Sequence, residues 1–365
     1  MRLYQVSVRD TLVLRDNRPM TTGAGRAWSM DIPWPSTVAG LARTRLGSDA
    51  NGVFRKTSAS ELDALRAVAV AGPWLVEEST KRLFFPAPRD AVWFRDPMAD
   101  GIVPRRLVPC PRERGVLYDD DGESALDLAS FAEALPSRAK PATGPRFWSW
   151  DALARWNSGG AAPHPGGREV LLGLTEEERT HVALESDRAY KDGQLFTTVQ
   201  RRFVVEDNAG WRSFAVGFGV EDPRVLAAGL AAFGGERRVA TLSAYDGALP
   251  AFDPAPFAAA ARLKVTLLTP AIFTEGAVPA SLPAGDQGAR VVAAIVPRPE
   301  VVSGWDFAKR KPKPTRRVVS AGSVFWLDTT GRDPIELARN LWLRPVSSEH
   351  QDRNDGYGLA VVSPG

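Results

Sequence analysis

Phe214-Ala215-Val216-Gly217-Phe218-Gly219-Val220-Glu221-Asp222-Pro223, carried on to Gly234-Gly235-Glu236-Arg237-Arg238, is the stretch that decides how this chain folds. Phe214, Val216, Phe218 and Val220 alternate with smaller residues, the period of a strand with an apolar face. Asp222-Pro223 then reads as a helix start, with Asp as N-cap and Pro at the first helical position. Val225, Leu226, Leu230 and Phe233 give that helix an inward face, Gly234 stops it, and Val239 to Tyr245 is the next strand. The loop after the helix has two readings. Glycines let backbone approach a ligand, their N–H groups can converge on an anion, and Arg237 and Arg238 can fork onto phosphate oxygens. Alternatively Gly234 is only a left-handed C-cap and the arginines sit in solvent.

The second half repeats this grammar. Leu263, Val265 and Leu267 make a strand ending at Thr269-Pro270, and Val291–Val296 and Ser320–Leu327 are two more. Asp333-Pro334 opens a helix with Ile335, Ala338 and Leu341 inward, and Gly356-Tyr357-Gly358 precedes a last strand, Leu359 to Val362. Two such halves fit a β-α-β-β-α-β order used twice, the ferredoxin-like arrangement. The expected class is α+β, with one domain over residues 1–250 and a second over 251–365. The first helix of the second half has no clear segment, and its remnant would fall in the 277–289 loop.

Upstream, Tyr4, Val6 and Val8 open the chain as a half-buried strand. After Pro33 and Pro35, Ser36 is expected to cap a helix to about Leu46, with Val38, Leu41, Ala42 and Leu46 as its stripe. Lys81 to Phe94 reads as strand with a proline-punctuated turn, and regular structure returns with Leu195 to Val205. Residues 96–168 are rich in Pro, Gly and charge, Asp119-Asp120-Asp121 among them, and read as an insertion with mobile tips. Within it Phe147, Trp148, Trp150 and Trp156 are too apolar for a free linker, so they should pack on the body or on a neighbouring subunit.

A chain of 365 residues is too long for one core and suits two domains. Apolar content of 44% permits burial, and a net charge of +3 is a mild basic bias, so the location of charge matters more than its total. Cys110 stands alone, which excludes an internal disulfide and fits a reducing compartment. Met1 to Val8 shows no signal-peptide core and no apolar run reaches bilayer length, so a soluble, cytoplasmic protein is expected.

The densest chemistry lies at Lys309-Arg310-Lys311-Pro312-Lys313-Pro314-Thr315-Arg316-Arg317, where six of nine residues are basic and none is acidic. Two prolines stiffen it and Trp305 lies just upstream. A basic, semi-rigid hairpin beside an aromatic suits a phosphate backbone with a ring for base stacking, whereas a solvated loop is the plainer account. The helix start at Ser36-Thr37, with Arg43 further along, is a second anion candidate. Arg201-Arg202 and Arg188-Ala189-Tyr190-Lys191 add positive charge mid-chain. His164, His181 and His350 are scattered; His181 or His350 could act as a general acid or base. A lone cysteine and separated histidines build no zinc site, and Asp119–Asp121 is either a cation site or an acidic loop tip. P-loop, dinucleotide and nucleophile-elbow patterns are missing.

Several stretches in order resemble one family. Leu12-Val13-Leu14-Arg15-Asp16-Asn17-Arg18-Pro19-Met20, then Pro33-Trp34-Pro35-Ser36-Thr37-Val38-Ala39-Gly40-Leu41-Ala42-Arg43-Thr44, are similar to the N-terminal signature of the third subunit of the type III-B CRISPR (Cmr) effector complex, a RAMP-superfamily protein. Gly234–Arg238, Leu268-Thr269-Pro270-Ala271, Gly304-Trp305-Asp306, Pro312 through Phe325 and Gly356-Tyr357-Gly358 complete the series. The 96–168 insertion matches nothing in the family's pattern. The resemblance implies two ferredoxin-like (RRM-like) RAMP domains packed face to face across an RNA-binding cleft, with the long insertion in the first. It implies a non-catalytic subunit that holds the 5′ tag of the guide RNA and bridges the large polymerase/cyclase-like subunit to a backbone subunit, in antiviral defence. The RRM aromatic signature is not evident, so loops and arginines are favoured over the sheet face. On this reading RNA meets Ser36, Thr37, Arg43, Arg188, Lys191, Arg201, Gly234, Gly235, Arg237, Arg238, Trp305, Lys309, Lys311, Lys313, Arg316, Arg317, Gly356, Tyr357 and Gly358. No cofactor, metal, membrane or small-molecule substrate is expected. The rival is a RAMP endoribonuclease that processes precursor guide RNA with His181 or His350; a third reading is a structural bridge whose basic loop meets acidic neighbours.

Overall fold

A computed structural model describes residues 1–16, 18, 25–56, 58–96, 101–111, 126–135, 138–207, 210–236, 238–285, 288–306 and 310–365. It is an α+β protein, mostly strands with few helices. The chain forms two compact units: residues 1–83, 173–247 and 302–314 make the first, and 84–172, 248–301 and 315–365 the second. The second unit takes in residues 84–172, which contain the 96–168 stretch expected as an insertion in the first domain, and the first unit takes in 302–314. Among the described residues, no helix is long and apolar enough to cross a membrane.

The first unit holds an antiparallel sheet in the order Ala69–Glu77, Gly210–Glu221, Arg2–Val8, Val239–Ala244, Gly229–Ala232. Its central strand, Gly210–Glu221, is buried on both faces from Phe214 to Val220. The small residues that sequence alternation assigned to the other face have a packing reason: a Cβ on Gly217 would lie 2.1 Å from Trp74 Nε1, and Trp74 is fully buried. The Pro35–Gly47 helix packs on the Ala69–Glu77 strand through Val38, Leu41 and Ala42, as its stripe implies.

Two helix expectations need correction. Ser36 is not the N-cap: Trp34 holds that position with Pro35 first in the helix, and the Thr37 N–H returns to the Trp34 carbonyl at 2.9 Å. The Asp222-Pro223 helix does not form at all. Asp222 instead accepts the Arg224 N–H at 2.8 Å in a local turn, and Gly229–Ala232 becomes the edge strand of the sheet. Gly229 sits at φ +123°, a conformation outside any right-handed helix. Ala231 and Phe233 are buried while Leu230 and Val225 are exposed, so the period is two rather than 3.6. The helix Ala59–Arg66, by contrast, was not anticipated, although Ser58 and Glu61 close a full capping box at its start.

The second unit carries an antiparallel sheet ordered Ser281–Leu282, Ala289–Ile295, Val324–Asp328, Arg262–Leu267, Ala360–Pro364. Here the Asp-Pro signal works: Asp333 accepts the Ile335 N–H at 2.9 Å and caps Pro334–Leu341. Leu337, Ala338 and Leu341 of that helix pack with Leu263, Val265, Phe325 and Val362 of the sheet. No helix occupies the described part of 277–289.

The aromatic residues of the 96–168 stretch pack back on their own unit. Trp148 and Trp156 are buried and meet edge to face at 5.7 Å, and Trp150 meets Trp342 in the same way. A charge pins them. Asp90 accepts from Trp156 Nε1 at 2.9 Å and from Lys264 Nζ at 2.9 Å, with both partners of the ion pair buried. Arg106 lies 3.5 Å from the Trp156 ring and donates to the carbonyls of Trp156 and Gly160. Burial pushes the Lys264 ammonium below the ordinary lysine range, and Asp90 opposes that shift. Asp90→Ala would leave this ammonium buried without its counter-ion, so it should cost about 3–5 kcal/mol. Denaturant midpoints of the two proteins check this.

Candidate nucleic-acid interface

The glycine-arginine loop is a docking turn. Gly234 has φ +79°, and the Gly235 N–H donates to the Val13 carbonyl at 2.8 Å. A Cβ on Gly234 or Gly235 would lie 3.2 or 3.3 Å from that same oxygen, closer than most side-chain carbons come. The glycines therefore serve backbone approach, but the backbone approached is the chain's own. Capture of a phosphate by the Gly235 N–H, expected from the sequence, is excluded in this arrangement because the donor is already used. Arg238 is held from three sides: by Asp10 Oδ2 at 3.0 Å, Gln200 Oε1 at 2.9 Å and Glu236 Oε2 at 3.4 Å. Arg237 lies outside the described residues.

Other candidates are occupied by the fold. Arg201 is buried, 3.2 Å from Asp31, with donors to the Ser29 carbonyl at 3.0 Å and Glu176 at 2.6 Å, so it stitches strands together and is not open to RNA. Arg202 pairs with Glu177, and Arg43 donates to the Val68 carbonyl at 2.9 Å. Arg316 forms a fork on Asp352, two bonds of 2.8 Å to a buried carboxyl. Gly356-Tyr357-Gly358 is interior: Tyr357 is buried, and a Cβ on Gly358, at φ +85°, would lie 2.7 Å from the Ser347 nitrogen. At the Pro35 helix start, Ser36 and Thr37 are half-buried.

What stays outward is a smaller set. Trp305-Asp306 pairs antiparallel with Lys311-Pro312, and Lys313 N–H donates to the Gly304 carbonyl at 2.8 Å, so the basic stretch is a closed hairpin. Trp305 is 51% exposed, and Arg310, Lys311 and Lys313 are exposed with it. Lys309 lies outside the described residues. In the second unit Arg317 is exposed and makes no ion pair with the described residues. Arg188 and Lys191 flank the tip of the Thr175–Leu184/Tyr190–Arg202 hairpin, with Arg188 at φ +70° and Lys191 3.9 Å from Glu185.

The histidines form no catalytic grouping in the described residues. His181 stacks on Phe196 and its Nε2 lies 2.9 Å from Thr198 Oγ1; His350 Nδ1 lies 3.3 Å from Asn354; His164 accepts the Gly166 N–H. Asp119–Asp121 lies outside the described residues. Asp10, Arg179 and Gln200, which frame Arg238, were missed by sequence reading; Gln200 is fully buried, and no local pattern marks a pairing 38 residues apart.

Because Gly234 combines a left-handed backbone with the Val13 carbonyl beside it, Gly234→Val should cost about 1–3 kcal/mol. A melting curve would show the loss, and RNA affinity per folded molecule should change far less than stability.

A family profile described as CRISPR-associated protein (Cas_Cmr3) matches residues 4–364. Among solved structures, a chain of type III-B Cmr-beta bound to cognate target RNA is similar at TM-score 0.50 and 15% identity, covering 89% of this chain and 86% of that one. A chain of type III-B Cmr-beta bound to cognate target RNA and AMPPnP gives TM-score 0.49 and 13% identity over the same shares, 89% and 86%. No curated protein matches the chain by sequence. With the profile running from the first strand to the last, the chain belongs to the Cas_Cmr3 family of CRISPR-associated proteins.

Proposed function

We propose that this chain is a non-catalytic RNA-binding subunit of a type III-B effector complex. It holds the 5′ tag end of the guide RNA and bridges the large polymerase/cyclase-like subunit to a backbone subunit, in antiviral defence in the cytoplasm. Its two RAMP domains are read as ferredoxin-like. The observation that carries the reading is the hairpin of 304–313, in a chain of this family. Three exposed cations, at 310, 311 and 313, sit beside a half-exposed tryptophan, with no carboxylate within ion-pair distance among the described residues. Arg43, Arg201, Arg238 and Arg316 of the candidate set each have an internal acceptor, so the hairpin is where most of the charge is left for a polyanion. Lysines neutralise phosphates, and an indole stacks on any base without reading its sequence. Arg238 and Arg317 are further candidates, and the arginines at 201 and 316 drop out as direct contacts.

Holding one strand in fixed register lets pairing with a target begin at a defined nucleotide. That task needs neither a metal nor a general acid. Among the described residues, no group of three His, Cys, Asp or Glu is placed to hold a metal ion.

Lys311→Gln with Lys313→Gln should weaken guide binding and lower the slope of log affinity against log salt by about 0.7 for each phosphate no longer neutralised. Trp305→Ala should cost about 1–3 kcal/mol in binding with little change in that slope. Titrations of guide RNA at several salt concentrations check both, and an unchanged slope would remove the hairpin from the interface. Incubation with repeat RNA tests the nuclease alternative. The purified chain should leave the RNA intact, and metal-independent cleavage abolished by His181→Ala or His350→Ala would contradict the proposal.

A further inference from the structure

Arg238 is held in place yet remains reachable, and what holds it is mostly acidic. Its Nη1 meets Asp10 Oδ2 at 3.0 Å, and its Nη2 meets Glu236 Oε2 at 3.4 Å and Gln200 Oε1 at 2.9 Å. The side chain is 20% exposed, against 53% for Asp10 and 36% for Glu236. Its Nε–H is shielded and has no acceptor among the described residues. Gln200 is fully buried and anchored on both sides: Oε1 also accepts from Thr11, and Nε2 donates to Thr198 at 2.9 Å. Gln200 therefore fixes the guanidinium from within, while the two carboxylates that meet it are its more exposed partners. Asp10 is itself tied to Arg179 Nη2 at 3.0 Å, and that bond is the main reason its carboxyl stays below the usual range.

We propose that Asp10 and Glu236 are counter-ions set over Arg238, so that an RNA phosphate reaches this guanidinium only by displacing them. This rests on the reading of the chain as an RNA-binding subunit and adds a specificity device to it. Half-exposed ion pairs are weak, so a phosphodiester can replace them, but only at some loss. A strand gripped elsewhere, at the 304–313 hairpin for example, brings its phosphates at high effective concentration and can meet that loss. A passing polyanion with no second point of attachment cannot. The carboxylates thus lower affinity for RNA in general more than for the strand held in register, which is specificity obtained by opposing the wrong ligand.

The test uses the full chain and a short fluorescent oligouridylate, with melting curves for every variant. Asp10→Asn removes the charge and keeps one carbonyl acceptor, its other oxygen becoming an amide NH2; Arg179 keeps Glu177 as a partner at 2.7 Å. Asp10→Asn and, independently, Glu236→Gln should tighten oligouridylate binding about two- to fivefold. Arg238→Gln should weaken binding of tagged guide RNA, the strand that displaces the carboxylates. In the Arg238→Gln background Asp10→Asn should give no gain, since no guanidinium remains to be released. An equal gain in both backgrounds would reduce the effect to bulk charge and overturn the proposal. So would unchanged or weaker binding in both charge-removing variants while Arg238→Gln loses affinity, since the carboxylates would then only position the arginine. If Arg238→Gln leaves guide RNA binding as it was, Arg238 touches no RNA and this inference falls, while weaker binding in the paired Lys311 and Lys313 variant would keep the subunit's RNA-binding reading standing.

Discussion

The carbonyl oxygen of Val13 accepts the Gly235 N–H, and the backbone on either side of it is tied down just as tightly. Leu12 exchanges both its backbone bonds with Arg201 at 2.8 Å, and Leu14 accepts from Met30 N–H at 2.8 Å and donates to Ser29 Oγ at 3.1 Å. Three residues, all buried, thereby join the long Thr175–Arg202 hairpin, the 25–31 segment and the glycine turn. Much else in the first unit follows from this. Glycine is required at 234 because the turn is left-handed and the carbonyl is close. Arg201 must be answered where it is buried, which Asp31 and Glu176 do. Arg238, three residues past Gly235, arrives beside Asp10 and Gln200 as a consequence.

Charge in this protein is largely spoken for. Lys and Arg number 46 against 43 Asp and Glu, and the structure shows what that near balance is made of. Arg212 meets Glu77 at 2.7 Å with both side chains buried, Lys264 meets Asp90, and Arg316 grips Asp352. Such pairs hold their place because removing one partner strands the other in low dielectric. Cations without an internal acid are therefore more informative than the net charge. The 304–313 hairpin has them, whereas Arg238 beside the glycine turn is answered by Asp10 and Glu236.

Strands were legible wherever apolar residues alternated. Those around Phe214, Leu263, Val291, Phe325 and Val361 are all present, although the first begins earlier, at Gly210, and the Phe325 strand begins at Val324 rather than Ser320. The same Asp-Pro signal, however, gave a helix at 333 and a turn at 222. Pro334–Leu341 contains no glycine, whereas the segment after Pro223 carries Gly229 at φ +123° and lies beside Val239–Ala244, whose edge needed a partner. A pairing demand of that kind is invisible to a local window, and it overrode the propensity. The Ser36 cap failed for a smaller reason, since Pro35 already fills the first helical position. The candidate site was legible in its charged hairpin and opaque in its internal arginines. Nothing local in the sequence tells Arg201 from Lys311; only the carboxylates folded against the former do.

Everything proposed for the subunit turns on whether the 304–313 hairpin meets the tag end of the guide. Photo-crosslinking of guide RNA carrying 4-thiouridine in its 5′ tag, within the assembled effector, with the adducts mapped by mass spectrometry, tests this most directly. Adducts are expected on Trp305 or on the peptide that contains Lys311 and Lys313. Tag adducts confined to other subunits, with this chain unlabelled, would contradict it.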